Sequence, residues 1–405
     1  MFYLILFTTL LFNSNASINS EGKDDLLLQK LVNKGIISQE EAGEIKDQQS
    51  IWIDKLKPSG DFRFRFQDDN PIGYGTNRDR VRIRLRGRIE PKITEDIKVG
   101  VGLATGFNNN NIDNLTDKDI ARSTNQTLGD GFSKKSISLE LGYAEYTPVS
   151  WFGLVVGKFK NPIWEPGDLI WDTDINPEGV ALKFKSKLDT NFELFGTTDV
   201  FSLEEKGNDP DIIMYTAQAG FNHNATEKFS YKVGFSYYGF SDLKGKRLDG
   251  STLSNSINND QEALLLYNYN NIIGAAEFLF KNPFNTELPL LSIFIEYVTN
   301  ANNKVHGNNK NGYMIGTLFG SEKLKKLSDW QIKYNYALLE KDSILDILPD
   351  SDRYSGKTNM RAHELAFNYA LGSSNWIGLD FYYGEQLKGP KLPSTVLQLD
   401  WNLLF

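Results

Sequence analysis

Between Arg78 and Arg88 every second residue is an arginine, and the intervening residues are Asp79, Val81, Ile83, Leu85 and Gly87. A helix would scatter this pattern around its circumference, whereas successive side chains of a β-strand point to opposite faces. The segment is expected as a strand with Arg80, Arg82, Arg84, Arg86 and Arg88 in one file and an apolar file behind them. Arg63 and Arg65 repeat the arrangement on the preceding segment, opposite Phe62, Phe64 and Phe66. Eight of the twelve arginines in the chain fall between positions 63 and 88. Such a file must face water, because an arginine near the midplane of a bilayer costs about 2–4 kcal/mol.

The same period of two recurs along the chain. Sixteen stretches alternate, with expected outward sides such as Val99-Val101-Leu103, Ile137-Leu139-Leu141-Tyr143, Val155-Gly157-Phe159, Val180-Leu182-Phe184 and Leu397-Leu399-Trp401-Leu403-Phe405. Short links, among them Lys92 to Asp96, Leu188-Asp189 and Gly372 to Asn375, take turns with long polar ones such as Gly106 to Lys135, Phe240 to Asn270 and Glu340 to Met360. Tight turns on one rim and long loops on the other are the pattern of a transmembrane barrel. A soluble propeller or sandwich would need turns of more uniform length and few charges on its buried face. No apolar stretch is long enough to cross a bilayer as a helix. The expected fold is therefore all-β, a 16-stranded antiparallel transmembrane β-barrel over residues 51–405, with both chain ends in the periplasm. In the last strand Trp401, Leu403 and Phe405 point outward. A terminal aromatic on such a strand is expected to serve as the signal read by the barrel assembly machinery.

Upstream, the apolar run Phe2 to Phe12 followed by Ser14-Asn15-Ala16 reads as a signal peptide over residues 1–16, although its first residues lack Lys and Arg. Residues 17–50 are expected as a periplasmic helix-turn-helix segment. Leu26, Leu27, Leu28, Leu31 and Val32 form its first apolar stripe, Gly35 stops it, and Ser38 with Glu41 forms a capping box for the second helix.

Composition removes several function classes. The net charge of −8 is spread without long blocks of one sign, which argues against nucleic acid as a partner. The absence of cysteine excludes thiol nucleophiles and cysteine-ligated metals. His223, His306 and His363 stand apart, and no Gly-x-Ser-x-Gly elbow occurs, so no catalytic residues, cofactor or metal site are expected. The stretch Asp113 to Asp119 lacks an EF-hand pattern and reads as hydrated loop.

The candidate functional residues line a water-filled interior. Lys158 and Lys160, with Lys183, Lys185 and Lys187, are expected to extend the basic wall begun by the arginines. The loop Asn161 to Pro177 carries the apolar anchors Trp164, Leu169, Ile170 and Trp171 together with Glu165, Asp168, Asp172 and Asp174. It is expected to fold into the lumen and present its carboxylates to the arginine file. Rows of opposite sign would then set a transverse field that sorts solutes by charge and dipole.

Several segments resemble the outer-membrane family of putative porins. They include Leu31-Val32-Asn33-Lys34-Gly35-Ile36-Ile37-Ser38-Gln39-Glu40-Glu41-Ala42, Gly60-Asp61-Phe62-Arg63-Phe64-Arg65, the run Asn77 to Arg88, Ser123 to Gly129, Tyr143 to Pro148, Gly157 to Pro162 and Asn176 to Leu182. The resemblance spans most of residues 24–405 and implies a channel of the outer membrane, a homotrimer in contact with outer-membrane lipids, and no enzymatic activity. Ile163 departs from the pattern, where an aromatic would follow Asn161-Pro162. The leading expectation is passive diffusion of small hydrophilic solutes and ions. The alternatives are an anion- or phosphate-preferring channel using the Arg and Lys strip, and a plugged barrel with a structural or adhesive role.

Overall fold

A computed structural model describes residues 28–44, 58–70, 72, 76–106, 121–207, 209–258, 262–283, 288–305 and 307–405. The signal-peptide reading, the Asp113 to Asp119 stretch and His306 lie outside the described residues. Residues 28–33 and 39–44 are helical. The capping box forms between them: Ser38 N donates to Glu41 Oε2 at 2.7 Å, and Glu41 N to Ser38 Oγ at 3.0 Å. That unit and the sheet that begins at Pro58 are separate bodies.

Sixteen long antiparallel strands build the sheet: β1 Pro58–Asn70, β2 Arg78–Ile89, β3 Ile97–Thr105, β5 Ile137–Val149, β6 Phe152–Lys158, β7 Glu178–Lys187, β8 Phe192–Glu204, β9 Ile212–Asn224, β10 Phe229–Phe240, β11 Asn270–Lys281, β12 Leu290–Asn300, β13 Asn311–Gly320, β14 Trp330–Leu339, β15 Met360–Gly372, β16 Asn375–Gln386 and β17 Ser394–Leu404. A two-residue strand, β4 Gln126–Thr127, folds back from the β3–β5 connection onto Arg82 and Ile83 of β2. Each long strand pairs with its neighbours in chain order. β17 then pairs with β1 from Asp61↔Leu404 to Asn70↔Thr395, which closes the barrel and leaves no edge. Both β1 and β17 meet the rim of short turns, where Gly60 N donates to Phe405 O at 2.8 Å and Phe405 N to Gly60 O at 3.1 Å.

The outer face carries the apolar files, and Phe64, Leu85, Val101, Phe235, Ile315, Leu399 and Trp401 are all exposed on it. Aromatic tips bond polar side chains near the rims: Trp401 Nε1 to Asn375 Oδ1 at 2.7 Å, and Tyr297 OH to Asn311 Oδ1 at 3.0 Å. Rings with one apolar body and one polar tip suit the membrane–water boundary.

Two strands correct the expected faces. In β5 the pairing steps from Leu103↔Leu139 to Gly102↔Leu141, so Glu140 and Leu141 form a bulge. Both are buried inside, and beyond them the expected outward side continues inward at Tyr143. An extra residue reverses the parity of everything after it. In β6 three apolar residues in a row, Leu154, Val155 and Val156, leave the alternation ambiguous. Val156 faces out beside Val180, while Val155 and Phe159 join the interior core.

The interior is filled unevenly. From β7 round to β15, apolar residues on the inner wall, including Phe201, Met214, Tyr238, Phe294 and Met314, pack against three inward loops. Those loops bring Leu169, Ile170 and Trp171; Leu243, Leu248, Leu265 and Tyr269; and Ile344, Leu345, Leu348 and Tyr354. The wall formed by β17, β1 and β2 is polar.

Candidate pore wall and inserted loops

Register places the arginines in facing pairs across β1 and β2, with Arg63 opposite Arg84 and Arg65 opposite Arg82. Cross-strand neighbours of like charge repel, and carboxylates on the same and adjacent strands offset this. Asp61 receives Arg84 Nε at 2.9 Å and Arg86 Nε at 2.7 Å. Asp400 of β17 receives Arg65 Nε and Nη2, each at 2.7 Å, in a bidentate pair. Asp69 receives Arg80 Nε at 2.8 Å, and Arg88 lies 3.4 Å from Glu90. Arg82 Nη1 donates to Gln67 Oε1 at 2.9 Å, and Arg63 Nη2 to Asn125 Oδ1 at 2.9 Å. The side chain of Arg65 is 3% exposed and that of Arg88 47%, so the file opens toward the rim of short turns.

The lysines divide. Lys183 bonds Glu145, which also holds Lys98 at 2.6 Å, and Lys185 pairs with Glu193 at 3.1 Å. Lys160 lies 3.7 Å from Glu140, beside Arg86 in a cavity of about 350 Å³ that is also lined by Asp61, Arg88 and Phe405. Lys158 ends β6 two residues after the outward Val156. It bonds Glu178 at 2.7 Å and the Asn176 carbonyl at 3.2 Å, away from the arginine file.

The loop from Phe159 to Pro177 crosses the interior. Trp164 N donates to Gln218 Oε1 on β9 at 2.8 Å, and Gln218 Nε2 returns a bond to Trp164 O at 2.8 Å. Glu296 on β12, fully buried, accepts Gly167 N at 2.8 Å and Leu169 N at 3.2 Å. The Trp164 ring stacks under Lys232 Nζ at 4.4 Å. Of the four expected acidic residues, Asp174 reaches the arginine file, 3.2 Å from Arg86. The other three hold the loops. Glu165 accepts from Tyr238 OH. Asp168 Oδ1 forms an ion pair with Arg353 Nη2 at 2.7 Å; burial would raise its pKa, yet the Arg353 and Lys333 charges bring it below the ordinary value. Asp172 accepts Ser351 N at 2.9 Å, and burial pushes its pKa well up.

Sequence reasoning missed Gln218, Glu296, Arg353, Asp352 and Asp400. Gln218, Glu296 and Asp400 are ordinary lumen-facing polar positions of their strands, and Asp352 and Arg353 sit in the polar run Asp350 to Arg353 of a long loop, so no motif marks any of them.

This arrangement, a closed membrane barrel with a charged inner wall and an inserted loop, is that of an outer-membrane channel. The model of the family described as Putative porin matches residues 70–272 and 281–405, and the chain belongs to that family. Pseudomonas putida OprB, solved at high pH, is similar in fold with a TM-score of 0.57 and 11% identity, covering 89% of this chain and 96% of its own. The outer membrane channel DcaP of Acinetobacter baumannii gives 0.47 and 13%, covering 86% and 97%. A mutant of Rhodopseudomonas blastica porin gives 0.44 and 8%, covering 86% and 100%. No curated protein sequence matches the chain.

Proposed function

We propose that the barrel carries small hydrophilic solutes and ions by passive diffusion along the polar wall of β17, β1 and β2, with the loop from Phe159 to Pro177 narrowing the path at Asp174. The observation that carries this reading is the uneven interior: the inserted loops bury their apolar side chains on the apolar wall and meet the charged wall through Asn125, Asp174 and Asp352, and toward the short-turn rim that wall becomes exposed at Arg88. There Arg88, Lys160, Lys183 and Lys185 are the more open charges, whereas Glu140, Glu145 and Glu193 lie deeper. That imbalance favours a second, narrower reading, a preference for anions.

Planar-bilayer recording tests both. A channel gives discrete conductance steps, and a protein that inserts without them is a plugged barrel with another role. Under a salt gradient the zero-current potential is expected on the anion side. Replacing Arg86 and Arg88 by Gln shifts it toward cations at 0.01 M salt, where the Debye length is about 30 Å, and hardly at 1 M, where it is about 3 Å. An unchanged potential at low salt would remove the anion reading and leave the diffusion reading standing.

A further inference from the structure

Asp352 reaches out of the β14–β15 connection and meets the wall where Arg65 and Arg82 face each other. Its Oδ2 lies 3.4 Å from Arg65 Nη1, while the other edge of Arg65 is committed to Asp400. Burial would raise the Asp352 pKa, but Arg65, Gln398, Arg82 and Arg63 around it hold it below the ordinary value. Asp352 nevertheless does not saturate these groups. Arg63 Nε and Arg82 Nε are buried without a hydrogen-bond partner. Gln398 is 1% exposed and Arg82 9%, so the donors are fixed in the wall. Asp352 rides on a loop, and its side chain is 30% exposed. The neighbouring charges are accounted for: Asp400 serves Arg65 and lies 3.6 Å from Arg63, and Asp69 serves Arg80. Within ion-pair distance the three guanidinium groups thus meet two carboxylates, Asp400 anchored in the wall and Asp352 tethered, while the Asp380 and Asp174 charges act on Arg65 and Arg63 from farther off.

We propose that Arg63, Arg65, Arg82 and Gln398 form a binding site for small carboxylate anions, and that Asp352 is a tethered carboxylate occupying it until a permeating solute takes its place. Exchange of one carboxylate for another preserves the charge of a partly dry site, whereas removing one without replacement would leave guanidinium groups uncompensated. The planar fork of a guanidinium suits a carboxylate held edge-on. The inference rests on the channel reading, because solute must reach the site through the lumen.

The test uses the full-length protein in planar bilayers, comparing wild type with Asp352→Ala and Asp352→Asn. The Asn variant keeps the side-chain volume and controls for disturbance of the loop. At constant ionic strength, potassium acetate replaces chloride stepwise, with inorganic phosphate in a parallel series. In both variants acetate is expected to reduce the current with a half-effect on the order of 1 mM, the affinity that a few charge-assisted hydrogen bonds supply. The wild type should need about tenfold more acetate, since its own carboxylate competes. Gln398→Leu in the Asp352→Asn background should weaken the acetate effect severalfold. Equal acetate sensitivity in wild type and both variants would overturn the proposal, as would phosphate acting more strongly than acetate. A loss of all conductance in the wild type would instead overturn the channel reading itself.

Discussion

Asp400 shows how one residue governs a charged wall. Its partner Arg65 stands 335 positions away in the chain, and the two meet only because β17 closes on β1. The arginine file was legible, since alternation needs only neighbouring residues, but its partners were not. Pairing depends on register across the seam, which no local pattern contains. The two kinds of pair should differ in weight. Asp400→Ala removes the bidentate partner of the buried Arg65 and leaves it only the 3.4 Å contact to Asp352, and breaking such a pair costs about 3–5 kcal/mol. Asp69→Ala releases Arg80, whose side chain is 16% exposed at the long-loop end. Partial solvation discounts that loss to about 1 kcal/mol. Urea unfolding in detergent micelles checks the order, and an equal fall in stability for both variants would contradict it.

At the scale of elements, the loop from Phe159 to Pro177 was legible through its tryptophans, because large apolar side chains in a polar connection need somewhere to be buried. Leu169, Ile170 and Trp171 are indeed buried. What holds the loop was not legible: Gln218 and Glu296 look like any lumen-facing polar residue until the backbone of the loop arrives. The bulge at Glu140 was hidden for a related reason, since an inserted residue leaves no mark when its neighbours are also mixed. The docked loop should depend on pH. Glu165 is faced by Tyr238 from β10, Glu296 from β12 and Asp168 from its own loop. Burial first, and then the Glu296 charge, push its pKa up to about 8. The ordinary glutamate value is about 4.3. The docked form therefore binds more protons between these values. Its advantage is complete below about pH 4.3 and is lost as pH rises through about 8. Protection of residues 163–172 against hydrogen exchange, measured relative to the intrinsic base-catalysed rate at each pH, is expected to fall at pH 9 relative to pH 6, and Glu165→Gln should flatten that difference. Protection that is equal or greater at pH 9 would refute the assignment.

For the molecule as a whole, the closing strand decides whether the sheet is a barrel or an open ribbon, and in lipid an open edge is untenable. The strand was legible in its alternation, Leu397, Leu399, Trp401 and Leu403 against Gln398, Asp400 and Asn402, and the structure adds how the seam is made. The Phe405 ring lies against Gly60, where a Cβ would approach Phe405 Cζ to 2.6 Å, and the two residues exchange both backbone bonds. Ring and ladder are thus superimposed at one point, and their contributions can be separated. Phe405→Ala keeps the ladder and removes a ring that is 66% exposed. With about a third of the ring covered by protein, the loss should be roughly 1 kcal/mol. Deleting Leu404 and Phe405 also removes ladder bonds at the seam and leaves their partners unsatisfied, adding about 1–3 kcal/mol for each group kept from water. Unfolding midpoints in lipid bilayers should therefore fall more for the deletion than for the substitution. Equal falls would mean that the aromatic contact, rather than continuity of the ladder, secures the seam.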